Sequence, residues 1–124
     1  NNKILLTAKN KDDVYTFLTR NNYELIKQIF IDCERSLDKS GIDTTFSGTT
    51  CVMVFQIGTH IICANVGDSR AILINSKNDI VKLSRDHKPE LPEEKKRIES
   101  KGGEISQCED DGIKSGPYRV WKKD

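Results

Sequence analysis

The stretch Ser47 to Ile74 reads S-G-T-T-C-V-M-V-F-Q-I-G-T-H-I-I-C-A-N-V-G-D-S-R-A-I-L-I. Three apolar runs lie in it, over 51–57, 61–66 and 71–74. Gly58-Thr59 separates the first two, and Gly67-Asp68-Ser69-Arg70 the last two. Short runs rich in Val and Ile, bounded by Gly and Asp, predict β-strands. They are apolar at alternate and intervening positions alike, so both faces are expected to be covered. The connections are too short for a parallel crossover, so neighbouring strands must run antiparallel. The second connection sets Asp68 in a tight turn between two strands.

Working outward, Ile80 to Leu83 reads as a fourth strand after the turn residues Asn75–Asp79. Ser84-Arg85-Asp86-His87-Lys88-Pro89 reads as loop, because proline biases the residue before it away from helix. Pro92 to Ser100 carries helix signals: Pro first, Glu93 and Glu94 in the first turn, Gly102-Gly103 as a stop. Glu104 to Gln107 reads as a short strand, Cys108 to Gly116 as loop, and Tyr118 to Trp121 as a strand start. Upstream, Val14, Phe17 and Leu18 mark a short helix over Lys11–Arg20. Leu25, Ile26, Ile29, Phe30, Cys33 and Leu37 mark a longer one from about Asn22 to Lys39. Asn21 and Glu24 are spaced as a capping box. Ile4-Leu5-Leu6 is an apolar patch with no assigned element. Helix, strands, then helix indicates an α+β fold.

The 124 residues suit one domain or part of a larger one. The chain opens on Asn1 rather than Met, so a processed or excised polypeptide is expected. Twenty Lys and Arg against 19 Asp and Glu give no electrostatic reason to expect nucleic acid or an anionic membrane. No apolar run approaches the length of a membrane-spanning helix. The cysteines, Cys33, Cys51, Cys63 and Cys108, lack the spacing of a zinc site. In the register that a Gly58-Thr59 turn implies, Cys51 and Cys63 do not face each other. All four read as reduced thiols, with Cys51 and Cys63 as small core residues. That points to an intracellular protein, cytoplasmic or nuclear.

Four features bear on chemistry. Asp68 is open to two readings, a carboxylate ligand of a hard divalent ion or a turn aspartate bonded to its own backbone. His87 has the chemistry of a general acid or base, but in a loop it is expected to serve as a hydrogen-bonding residue. Glu109-Asp110-Asp111-Gly112 lacks the alternating ligands of a calcium loop and reads as a solvated turn. Ser47-Gly48-Thr49-Thr50 lacks the Lys of a phosphate-binding loop and leads into a strand.

Taken together, several segments resemble consecutive motifs of the type 2C metal-dependent protein serine/threonine phosphatases. They are Phe46-Ser47-Gly48-Thr49-Thr50, Ala64-Asn65-Val66-Gly67-Asp68-Ser69-Arg70-Ala71, Leu83-Ser84-Arg85-Asp86-His87-Lys88-Pro89, Arg97-Ile98-Glu99 with Gly102-Gly103, and Tyr118-Arg119-Val120-Trp121. The resemblance makes residues 1–124 the central segment of a family domain. It implies part of a four-layer α-β-β-α sandwich of antiparallel sheets. It also implies hydrolysis of phosphoserine and phosphothreonine with a pair of Mg²⁺ or Mn²⁺ ions, a phosphoprotein substrate and a monomeric whole domain. The family's D-G-H-G motif and its distal aspartates do not occur here. Only Asp68 therefore carries over to a metal role, as ligand to an additional, weaker ion. Arg70 falls on a position taken as structural, and no catalytic residue is assigned. The alternative is a non-catalytic, phosphatase-like binding or regulatory module.

Overall fold

A computed structural model describes residues 10–45 and 47–122. The Ile4-Leu5-Leu6 patch and Phe46 lie outside the described residues. The elements in order are α1 (Lys11–Asp38), β1 (Cys51–Ile57), β2 (His60–Val66), β3 (Ile72–Ile74), β4 (Ile80–Lys82), α2 (Pro92–Ser100), β5 (Gly103–Asp110) and β6 (Ile113–Lys122). The strands form three two-stranded sheets, β1-β2, β3-β4 and β5-β6. This is the α+β class that the sequence indicates. Two compact units divide between Ala64 and Asn65, within β2.

In the first unit, α1 starts at Asn10, whose side chain accepts a hydrogen bond from the Asp13 N–H at 2.8 Å. That is an N-cap, and it satisfies one of the donors every helix start leaves open. The expected cap at Asn21 is not one. Asn21, Asn22 and Tyr23 instead take left-handed backbone angles and break α1 into two helical pieces. Asparagine visits that region more readily than other residues with side chains, which suits it to a break here, whereas Asn10 caps from extended backbone through its side-chain oxygen. Ile26 is buried, while Ile29 and Cys33 of the predicted apolar face are exposed. The Tyr15 ring stacks on the His60 ring, centroids 4.0 Å apart.

The β1-β2 connection is Gly58-Thr59, as expected, with Gly58 at φ +61°. Ile62 of β2 is buried. Cys51, expected in the core, is exposed at the start of β1, and Cys63 is half-buried. Burial pushes the Cys63 thiol up from its ordinary value. All four cysteines are free thiols.

In the second unit, β3 and β4 pair antiparallel with Ile72 opposite Lys82 and Ile74 opposite Ile80. The Asn75 side chain closes their turn by accepting from the Lys77 and Asp79 N–H groups, both at 2.9 Å. Every residue of β3 and β4 is exposed, and so is Val54 of β1. The expectation that both faces of these strands are covered therefore fails among the described residues. Their alternation-free apolar pattern is present, but no layer among the described residues covers it.

Residues 108–116, expected as loop, belong to a hairpin. β5 pairs with β6 from Gly103↔Lys122 to Asp110↔Ile113 around Asp111-Gly112. Both turn residues have positive φ, 48° and 78°. Asp-Gly is the pair that such a turn favours, because its twist matches that of the strands. The polar run Gln107 to Asp111 hid the strands from a reading based on apolar periodicity. Pairing is irregular between Ser106 and Cys108, opposite Gly116 at φ +79° and Pro117, where proline's missing N–H is tolerated. Helix α2 has the predicted bounds, and its buried Ile98 packs over Gly103 of β5.

Candidate functional site

The turn between β2 and β3 and the loop between β4 and α2 are joined by hydrogen bonds along their length. Asn65 donates through Nδ2 to the Gly67 carbonyl at 3.1 Å and to the Arg85 carbonyl at 2.9 Å. The His87 N–H donates to the Gly67 carbonyl at 2.9 Å, and the Gly67 N–H donates to His87 Nδ1 at 3.4 Å. Arg70 grips Asp86 with two bonds, Nε to Oδ1 at 2.9 Å and Nη2 to Oδ2 at 2.7 Å. The Ala71 N–H donates to Ser84 Oγ at 2.8 Å, and the Leu83 N–H to the Ala71 carbonyl at 3.0 Å.

The Arg70–Asp86 pair is a bidentate, charge-assisted fork, the strongest common kind of side-chain hydrogen bonding. The Asp86 side chain is only 16% exposed, so the fork is partly shielded from water. Bonding to Arg70 holds the Asp86 carboxyl below the usual aspartate range, against the opposing effect of its burial. The same bonds raise the Arg70 guanidinium. Next along the chain, Arg85 pairs with Glu93, and Arg97 bonds Glu94 at 2.7 Å. The bond from Arg97 is the main cause that lowers the Glu94 carboxyl.

Asp68 stands at the exposed tip of this clasp. Among the described residues it makes no hydrogen bond or ion pair, so it is not the self-bonded turn aspartate of one of the two readings. His87 serves as the hydrogen-bonding loop residue that its position suggested. Arg70, taken as structural, is that through Asp86. Sequence reasoning assigned no role to Asn65, Ser84 or Asp86. Their partners lie 13 to 20 positions away, beyond the reach of any local spacing rule.

A hard divalent cation takes several oxygen ligands and keeps some as water. The free Asp68 carboxylate fits one such ligand. Among the described residues no three His, Cys, Asp or Glu side chains converge. They therefore fit a single carboxylate contact and not a bridged pair of ions. Ser47 to Thr50 lead directly into β1 and open no helix, so no phosphate-binding loop forms there. Glu109 and Asp110 end β5 beside the Asp111-Gly112 turn.

The profile of the family described as Protein phosphatase 2C matches residues 5–116. The chain belongs to that family. It is 42% identical over 84 residues to Probable protein phosphatase 2C 12 of Oryza sativa subsp. japonica, covering 64% of this chain and 21% of that protein. It is 36% identical over 111 residues to Probable protein phosphatase 2C 73 of Arabidopsis thaliana, covering 82% and 29%. Protein phosphatase 1L of Bos taurus is 36% identical over 83 residues, covering 66% and 23%. The chain thus spans between a fifth and a third of the length of these curated relatives. No solved structure matches it.

Proposed function

We propose that the whole protein to which this chain belongs is a metal-dependent phosphatase of phosphoserine and phosphothreonine in proteins. The observation that carries the reading is the family match across nearly the full chain, with the clasped turn that leaves the Asp68 carboxylate unbonded. In that protein a pair of Mg²⁺ or Mn²⁺ ions supplies an activated water and neutralises the phosphate. This chain's own part is the strand frame and one accessory ligand, Asp68. The free thiols suit a reducing compartment, cytoplasm or nucleus. The substrate is a phosphoprotein, and the whole domain acts as a monomer.

The test is phosphate release by the full-length protein from phosphoserine and phosphothreonine peptides, with Mn²⁺, with Mg²⁺ and with EDTA. Metal-dependent release is expected. Its absence at every metal concentration refutes the reading and leaves a phosphatase-like binding module in its place. The 124-residue chain alone is expected to release no phosphate above a metal-only blank, since one carboxylate cannot assemble a binuclear centre.

A further inference from the structure

Asp68 is bracketed on both sides. Before it, Gly67 exchanges two hydrogen bonds with His87. After it, Arg70 forks onto Asp86, and Ala71 is tied to Ser84. All these anchors come from one loop, 84–87. Gly67 sits at φ +102°, which a residue with a side chain rarely adopts. The tip residue itself is exposed and has no partner among the described residues. A short backbone held at both ends and free at one carboxylate is a pre-organised arrangement. The ordering cost of placing that oxygen is met by folding and not by the ion it meets.

The geometry points to Arg70 and Asp86 as positioning residues. Their fork fixes the turn in which Asp68 stands and thereby sets how tightly Asp68 holds its metal. This rests on the reading that Asp68 is a metal contact. Neither Arg70 nor Asp86 touches the ion. They act through the backbone between Asp68 and Arg70. The fork suits this task because a planar guanidinium on a carboxylate fixes direction as well as distance. A lysine at position 70 keeps the charge and loses that direction.

The test is calorimetric titration of the full-length apo-protein with Mn²⁺, without substrate, alongside its thermal midpoint. Asp68→Asn is expected to abolish or strongly weaken the weakest binding step. Asp86→Asn is expected to weaken that same step about tenfold, as loss of an orienting partner typically does, and to leave the tighter steps in place. In an Asp68→Asn background, Asp86→Asn is expected to change metal binding no further. Should Asp86→Asn fail to fold, Arg70→Lys serves instead, and Asp86→Glu is expected to restore part of the lost affinity. If Asp86→Asn and Arg70→Lys move no step while Asp68→Asn removes the weakest, the positioning role is wrong and the metal reading of Asp68 stands. If all steps weaken together, the fork is merely structural and the inference fails. If Asp68→Asn moves no step, both fall.

Discussion

At the scale of single residues, the clasp makes Asp86 the residue whose charge matters to stability. Its carboxyl sits below the ordinary value near 3.8, chiefly because Arg70 bonds the ionised form. A group held below its unfolded pKa stabilises the fold above that value, and the contribution is lost as pH falls through the lower folded value. The full-length protein should therefore lose stability through Asp86 only below about pH 4. Asp86→Asn should flatten that part of the acid-unfolding curve and leave its shape near neutrality unchanged. A carboxyl resonance for Asp86 that titrates at or above 3.8 would contradict the account. Asn65 offers a second check. Its Nδ2 faces the carbonyls of Gly67 and Arg85, and its Oδ1 is buried without a hydrogen-bond partner. Asn65→Asp sets an acceptor against two acceptors and should cost about 2–3 kcal/mol in urea unfolding. Asp68 was legible as a candidate from its turn and its neighbours. What holds it was not, because the clasp is made by residues far apart in sequence.

At the scale of elements, α2 and the β5-β6 hairpin pack through one contact that admits a sharp test. A methyl on Gly103 would lie 2.6 Å from Cγ2 of buried Ile98 and 3.3 Å from its carbonyl oxygen. The backbone oxygen cannot swing aside as a side chain can. Gly103→Ala should therefore destabilise by about 1–3 kcal/mol, the usual cost of overpacking. Ile98→Val should lessen the loss when combined with it, and additive effects would show that the two sites do not touch. The reverse case is Gly112, where an added Cβ would meet nothing within 4 Å but φ is +78°. Gly112→Val should cost about 1–2 kcal/mol through backbone strain alone. The sequence made α2 plain, since proline, paired glutamates and paired glycines each mark a boundary. It made β1 and β2 plain through apolar runs. It did not reveal β5 and β6 over their full length, because Gln107, Glu109, Asp110, Lys114 and Ser115 around the turn interrupt any apolar alternation. The signal available there was Asp111-Gly112 itself. Likewise the two adjacent asparagines at 21 and 22 were a warning of a left-handed break that the cap spacing with Glu24 obscured.

At the scale of the whole molecule, the exposed apolar strands set the last expectation. Among the described residues only Ile26, Ile62 and Ile98 are buried hydrophobics. Val54, Val66, Ile72, Ile74, Ile80, Val81, Ile113 and Val120 all remain exposed. Three buried hydrophobic side chains among the described residues are far too few to offset the ordering entropy of those residues. Among the described residues the two-stranded sheets also present unpaired edges, which attract further strands. Yet apolar runs of this kind are what strands need when layers pack against both faces, and the relatives are about three to five times longer than the part this chain matches. The 124 residues on their own are therefore expected to bind a hydrophobic dye strongly and to sediment as concentration-dependent assemblies. The full-length protein should do neither, and side-chain footprinting should find Ile74 and Ile80 protected in it. A monomeric 124-residue chain that melts in one cooperative transition would show that these exposed strands need no further layer, and the sandwich expected of the family would lose its physical support in this chain.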